Sequence, residues 1–221
     1  MNGRTRTTAL TAVMAISLAL VLPGSIAHAD ESPAVHHLPE ITGDPILDDS
    51  IRRQAEARGY LPRLDEPATL VAIDGVLLEP ETAAAWQDLQ RAAAAAGHHL
   101  RLIAGYRSPA TQRSLFLGRF RGASRAGIDS TLRWTAPPGY SKHHSGRAVD
   151  ITVRGVRAGR FGTTTAHAWL SANGGRNARA HGFVASYPPH GPPQGPEPEP
   201  WEWVFVGFPE VSTPVAGLAP A

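Results

Sequence analysis

Apolar positions recur along this chain with two periods, and each period predicts a different kind of element. Steps of three and four residues predict helices, whereas alternation predicts strands. Helical steps occur over residues 46–57, 80–96, 109–120 and 166–180. Alternating or short apolar runs occur over residues 99–104, 149–153, 181–184 and 201–206. Ahead of these runs, Asp74-Gly75 is the turn signal of a short hairpin at 71–77.

Other segments have no such period. Residues 121–139 are rich in Gly, Ser and Arg and end in Ala-Pro-Pro-Gly, which predicts a long loop. Long loops in compact domains often bind ligands. Residues 30–45 and 211–221 have the composition of a flexible leader and a disordered tail. One folded domain is therefore expected at 46–210, which is long enough to bury a real core.

The amino terminus has the pattern of a secretory signal peptide. Arg4 and Arg6 precede a mostly apolar run over 9–22, and Ala27-His28-Ala29 supplies a small-x-small cleavage site. The run is too short and too interrupted for a comfortable membrane span, although an uncleaved anchor is an alternative. We expect cleavage after Ala29, export from the cytoplasm, and no membrane span in the product.

Charge and cysteine content exclude several classes of function. Loss of Arg4 and Arg6 from the 21 basic residues would leave 19, equal to the 19 acidic ones. A mature chain with no net charge lacks the electrostatic basis for binding nucleic acid or an anionic membrane. The sequence contains no cysteine, so disulfides, thiolate zinc sites and cysteine nucleophiles are excluded. Lys142 is the only lysine.

A histidine and an aspartate stand seven positions apart in the segment Ser-Lys-His-His-Ser-Gly-Arg-Ala-Val-Asp at 141–150. His143 is expected on a loop and Asp150 on the strand that follows the glycine turn. An imidazole nitrogen and a carboxylate oxygen are two of the three protein ligands that a catalytic zinc site usually has. By itself the spacing also fits an ordinary loop-to-strand junction with a surface histidine.

A second polar group is expected where the strand at 99–104 meets the next helix. Ser108 and Pro109 form a helix start signal, which puts Arg107 at the strand-to-helix junction. A side chain there can point into a cleft, although an arginine in this position is more often a surface residue. Gln112 lies one turn into the helix.

Taken together, these segments resemble the zinc D-alanyl-D-alanine carboxypeptidase (VanY-like) family of bacterial peptidoglycan peptidases. The resemblance covers residues 79–208 and rests on four groups of residues in order. These are Gly105-Tyr106-Arg107-Ser108 with Gln112, then Ser141-x-His143-x-x-Gly146-x-Ala148-x-Asp150, then Gly182-Phe183 with Ser186-Tyr187-Pro188, and Glu199-Pro200-Trp201-x-Trp203.

The resemblance implies an α+β fold of the DD-peptidase and hedgehog type. A small antiparallel sheet would pack against helices and leave a metal cleft on its open face. His143 and Asp150 would be zinc ligands, and Glu199 the general base that passes a proton from a metal-activated water to the leaving amine. Arg107 would stabilise the oxyanion or hold the substrate carboxylate. Ser141 and Gln112 would contact substrate.

The sequence departs from the family at one ligand. The family motif ends Glu-x-x-His, and that histidine is the third zinc ligand, but residue 202 here is glutamate. Glutamate can also bind zinc, so Glu202 is the expected third ligand, in preference to His181 or His190. Two carboxylates cancel the charge of a divalent ion, which would weaken its effect on bound water and favour harder ions such as Mn²⁺ or Ca²⁺.

Two functions of different classes follow from the resemblance. The first is a secreted, monomeric metallo-carboxypeptidase that hydrolyses D-amino-acid-containing peptidoglycan stem peptides at the cell wall. The second is a degenerate relative that binds those peptides without cleavage, because Glu202 has replaced the ligand histidine. The choice between carboxypeptidase and endopeptidase depends on the loops at 121–139 and 188–198 and stays open.

Overall fold

The computed structural model describes residues 37–188 and 190–208, which form an α+β fold. The helices are α1 (Pro45–Ala57), α2 (Pro80–Ala95), α3 (Pro109–Arg119), α4 (Arg125–Leu132) and α5 (Thr165–Arg179). The strands are β1 (Val71–Ile73), β2 (Val76–Leu78), β3 (Leu100–Ala104), β4 (Ala148–Val153), β5 (Phe183–Ala185) and β6 (Glu202–Phe205). The predicted fold class, hairpin and sheet strands are confirmed.

A four-stranded antiparallel sheet, in the order β3-β4-β6-β5, forms the frame of the molecule. The central pair β4 and β6 sets Asp150 directly opposite Glu202. Directly opposed residues on antiparallel strands lie on the same face of a sheet. Strand pairing therefore joins two side chains that are 52 positions apart in the sequence.

Two apolar clusters hold the helices in place. The first packs α2 and α5 against the sheet through residues such as Trp86, Leu170 and Trp203, all almost completely buried. The second joins α1, α3 and α4 through Ile51, Phe116 and Ile128 and related side chains, also fully buried. Burial of each such large side chain stabilises the folded state by about 1.5–3 kcal/mol. The helices are thus held in two groups, α2 and α5 against the sheet and α1, α3 and α4 against one another.

Local capping fixes the entry into α3. The Ser108 hydroxyl accepts a hydrogen bond from the Thr111 amide, and Pro109 is the first helical residue, as predicted. Gln112 and Phe116 are the buried residues of this helix. The helix therefore begins immediately after Arg107, and its first turn presents Gln112 towards the interior.

The structure corrects two sequence predictions. The expected long loop at 121–139 contains α4, which Ser124 caps and which buries Ile128 and Leu132. The predicted leader is wrong for residues 37–45, because Ile41 is fully buried and its amide donates to Asp48. The predicted signal peptide and the tail at 211–221 lie outside the described residues.

Within the described ranges 37–188 and 190–208, every helix is too short or too polar to cross a membrane.

Candidate metal centre

Three side chains from separate elements converge at one end of the cleft. His143 Nε2 lies 3.4 Å from Asp150 Oδ1 and 3.3 Å from Glu202 Oε2. One potential ligand atom from each residue lies within 4.8 Å of the others. One nitrogen and two oxygens at such separations can contact a single ion at the usual bond lengths of about 2.0–2.2 Å.

His143 is oriented by a short 3₁₀ turn at Lys142–Ser145. The Ser141 hydroxyl caps this turn, and Gly146 ends it in the left-handed region at φ 68°. The ring Nδ1 lies 2.6 Å from the Gly105 carbonyl oxygen, which can only accept a hydrogen bond, so Nδ1 carries the proton. This leaves Nε2 facing the two carboxylates, which is the arrangement of a metal-ligating histidine with its backbone support.

The adjacent His144 has a different role. It is fully buried, its Nδ1 lies 2.6 Å from the Arg107 carbonyl, and its Nε2 accepts a hydrogen bond from the Gly139 amide. Both nitrogens are used by the backbone, so His144 ties the 3₁₀ turn to the neighbouring loops and faces away from the three ligand candidates.

Asp150 provides the strongest sign that a cation belongs here. Its Oδ1 is buried and accepts no well-formed hydrogen bond from any described residue, and its ion-pair partner is His143 Nε2 at 3.4 Å. A buried carboxylate oxygen without a donor is costly, because the interior does not replace the water it has lost. A divalent ion bound by this oxygen would remove that cost, so the residues present fit a metal.

Glu202 uses its two oxygens differently. Its Oε2 faces His143, whereas Oε1 accepts a hydrogen bond from the Ser186 hydroxyl and lies 3.5 Å from Lys142 Nζ. The side chain of Glu202 is only 6% exposed. Ser186 and Lys142 thus hold Glu202 through its Oε1, in the position where the third ligand is expected.

The pKa values reflect the crowding of these charges. Burial opposes a charge on His143, but the Asp150 and Glu202 carboxylates outweigh it and raise the pKa of His143 to about 10. Burial would likewise raise the pKa of Glu202, but hydrogen bonding and charge from His143, with the charge of Lys142, lower it to about 2. The pair of carboxylates therefore attracts a positive charge, either a proton or a metal, to His143 Nε2.

Glu199 lies on the loop before β6 and lines the same cleft as the three ligand candidates. Its carbonyl accepts the Glu202 amide at 3.0 Å, which fixes the spacing between the two residues. Burial and the nearby Glu202 and Asp150 carboxylates raise the pKa of Glu199 to about 8. A carboxyl group with a pKa near neutrality can both take up and release a proton, as a general acid–base requires.

The predicted substrate-contacting residues line the same cleft as the ligand candidates. Arg107 donates to Gln112 Oε1 at 2.8 Å, and Gln112 Nε2 donates to the Ala136 carbonyl at 2.7 Å. Arg107, Gln112 and Ser141 all line the cleft, which holds about 240 Å³ of free space. Gln112 therefore orients the guanidinium and keeps one amide hydrogen and one oxygen lone pair for other contacts.

Three residues that shape the site had no predicted role in it, although Gly105 and Ser186 are among those that carry the family resemblance. Gly105 supplies the carbonyl that orients His143, while Lys142 and Ser186 hold Glu202. Lys142 carried a signal, since it is the only lysine and precedes His143. The contacts of Lys142 and Ser186 with Glu202 join residues far apart in the sequence, so no local sequence pattern predicts them.

A side chain at position 105 would disturb the site through the backbone. A Cβ atom there would overlap the Leu77 carbonyl oxygen and the Leu78 side chain. We expect Gly105→Ala to lower the free energy of unfolding by about 1–3 kcal/mol, typical of overpacking, and to weaken metal binding by displacing the carbonyl that supports His143. Denaturant unfolding and metal titration measure the two effects.

Gly118→Ala is the matched control, because nothing lies within 4 Å of a Cβ at that helical position. It should raise stability by up to about 1 kcal/mol and leave metal binding unchanged. A stable Gly105→Ala protein with undiminished metal affinity would contradict the role given to the Gly105 carbonyl.

Comparison with protein families matches residues 75–208 to the VanY family, described as D-alanyl-D-alanine carboxypeptidase. The chain is also similar to a D-alanyl-D-alanine carboxypeptidase of Enterococcus faecalis, with 31% identity over 129 residues. That match covers 55% of this chain and 46% of the relative. The chain thus spans about half the length of this curated relative.

Two solved structures share the fold. One is a variant of the VanY D,D-pentapeptidase from a VanB-type vancomycin resistance cassette in complex with Zn(II), with a TM-score of 0.55 and 25% identity over 66% of this chain and 84% of that one. The other is VanYB in complex with D-alanine-D-alanine, with a TM-score of 0.53 and 27% identity over 67% of this chain and 82% of that one.

Proposed function

Because this chain belongs to the VanY family of D-alanyl-D-alanine carboxypeptidases, we propose that it is a metal-dependent peptidase of peptidoglycan stem peptides that end in D-amino acids. The observation that carries the proposal is the convergence of His143, Asp150 and Glu202, with the buried Asp150 Oδ1 paired only with His143 Nε2 at 3.4 Å among the described residues. Residues 1–29 support export to the cell wall, where such peptides occur, and we propose that the protein acts there as a monomer.

His143 Nε2, Asp150 Oδ1 and Glu202 Oε2 would hold one divalent ion. Zinc is the metal proposed, since a structural relative was solved with Zn(II). When bound, such an ion acts as a Lewis acid that polarises a carbonyl oxygen and lowers the pKa of water. Three protein ligands leave room for a further ligand, as in hydrolytic zinc sites.

The protein's own residues account for the proton transfers. A carboxylate oxygen of Glu199 accepts a proton from the attacking water as the new C–O bond forms. The same oxygen then gives this proton to the leaving amine as the C–N bond breaks, so that no net charge is left behind. The half-buried position of Glu199 within the cleft suits both steps, and a bound divalent ion would lower its raised pKa from about 8 towards the range of a general base.

Arg107 provides a positive charge within the cleft. Its guanidinium is oriented by Gln112 and lines the same cleft as Glu199. Preorganised donors of this kind stabilise a developing oxyanion, and a guanidinium also matches the terminal carboxylate of a peptide. A substrate ending in D-alanine, the class bound by the structural relative, presents both groups close together.

In a second candidate function, the protein keeps the peptide-binding cleft but does not hydrolyse the peptide. Glu202 adds a second carboxylate to the ligand set, and this feature favours a protein that binds stem peptides without hydrolysing them. The two functions differ in turnover and not in peptide binding, so one assay separates them.

We expect one equivalent of bound metal and release of D-alanine from a stem pentapeptide ending in D-Ala-D-Ala. The release should fall to background after treatment with a chelator and return on addition of Zn²⁺, because the ligand set holds the Lewis acid. Quantifying metal and free D-alanine measures both. Pentapeptide binding without D-alanine release would instead identify the binding-only function, and release that survives complete metal removal would refute the metallopeptidase proposal.

A further inference from the structure

Lys142 directly precedes His143 in the sequence, and its side chain is largely buried beside Glu202. Its side chain is only 9% exposed. Its Nζ donates to Ser186 Oγ at 2.6 Å and to the Ser186 carbonyl at 3.1 Å, and lies 3.7 Å from the centre of the Tyr187 ring. Lysine is almost never buried without a partner, and the partner with opposite charge is Glu202 Oε1 at 3.5 Å.

These contacts determine which oxygen of Glu202 is available to a metal. The Ser186 hydroxyl donates to Oε1, and the Lys142 ammonium lies 3.5 Å from the same oxygen. Oε2 is thereby left to face His143 Nε2 at 3.3 Å. Groups that hold a ligating carboxylate in this way control both its orientation and its donor strength.

The same lysine changes the charge of the centre. One neutral imidazole and two carboxylates would cancel the double charge of a divalent ion, and Glu199 adds a third carboxylate to the cleft. The ammonium of Lys142 restores one positive charge at short range. The net charge of ion, ligands and lysine then equals that of hydrolytic zinc sites with two imidazoles and one carboxylate.

We propose that Lys142 is the positioning residue that makes Glu202 a working metal ligand, so that the Lys142–Glu202 pair together takes the place of one neutral imidazole. The inference rests on the proposed function, since it concerns the same metal centre. It predicts that changing either Lys142 or Glu202 alone lowers zinc affinity, whereas replacing both residues together can restore it.

The test is a cycle of three variants with zinc affinity as the readout, measured by competition with a chelator of known affinity. Lys142→Met removes the charge at similar side-chain length and should weaken zinc binding by about 10- to 100-fold, the range for groups that support a ligand. Glu202→His alone should also weaken it, because the ammonium is left buried, without its carboxylate, near the ion. The double variant Lys142→Met/Glu202→His should bind zinc more tightly than either single variant.

Arg147→Met is the matched control, since it removes one positive charge from the same motif. Its guanidinium is 43% exposed and lies near Glu79 and Glu81, not Glu202. It should leave zinc affinity unchanged. The visible absorption of Co²⁺-loaded protein, which reports the arrangement of the ligands, should change in Lys142→Met and stay constant in Arg147→Met. Thermal unfolding of each metal-free protein shows whether a variant is folded.

The outcomes separate this inference from the function on which it rests. A wild-type protein that binds no zinc overturns both. Wild-type binding with unchanged affinity in folded Lys142→Met overturns the role of Lys142 and leaves the proposed function intact. A double variant no better than the single variants overturns the pairing, and so does loss of zinc affinity in Arg147→Met equal to that in Lys142→Met.

Discussion

Replacing Glu199 with glutamine is expected to yield a protein that keeps its metal but releases D-alanine about 100 to 10,000 times more slowly, the usual contribution of general acid–base catalysis. Glutamine has nearly the same shape as glutamate, so the loop before β6 and the Glu202 amide contact with the Glu199 carbonyl are retained. It cannot accept a proton from water and return it to the leaving amine. The loss should therefore lie in kcat, with a smaller change in KM.

Glu197→Gln provides the control for this experiment. Glu197 lies two residues earlier on the same loop, is partly exposed, and pairs with Arg133 at 3.1 Å on the outer surface. It should reduce D-alanine release little, while metal content stays at one equivalent in both variants. Undiminished hydrolysis by Glu199→Gln would refute its assignment as the base, and loss of metal from it would assign Glu199 to the ligand set instead.

Replacing His143 with alanine is expected to abolish tight metal binding and, with it, all turnover. His143 supplies the only nitrogen among the three ligand candidates within the described residues. Without it, only two carboxylates remain to hold the ion, one fewer than the three protein ligands of a hydrolytic zinc site. Metal analysis after dialysis, together with D-alanine release, measures the effect.

His144→Ala separates the metal effect from a folding effect. His144 is buried and bonded on both nitrogens to backbone groups, so its loss should lower the free energy of unfolding by about 1–3 kcal/mol. It should nevertheless retain one equivalent of metal in the folded protein. If His143→Ala kept full metal content, or if His144→Ala lost its metal while remaining folded, the assignment of the two neighbouring histidines would be wrong.

Much of the architecture could be predicted from local signals. The hairpin at Asp74-Gly75, the start of α3 at Ser108 and the strand that carries Asp150 all depend on residues close to one another in the chain. The helix α4 escaped prediction because only two of its residues, Ile128 and Leu132, supply large buried apolar side chains. Its stability comes from packing with α1 and from the Ser124 cap, and a composition rich in Gly, Ser and Arg does not reveal either.

The sequence by itself determined which residues are candidates for the chemistry. The spacing of His143 and Asp150 is a local property of one motif, and the resemblance to the VanY-like family named Glu199 and Glu202. Only the tertiary structure decided how they are used. The register of β4 against β6 sets Asp150 opposite Glu202, the Gly105 carbonyl fixes the tautomer of His143, and Lys142 with Ser186 selects the free oxygen of Glu202. Each of these contacts joins residues 16 to 60 positions apart, and the energy that forms them comes from packing the sheet and its helices.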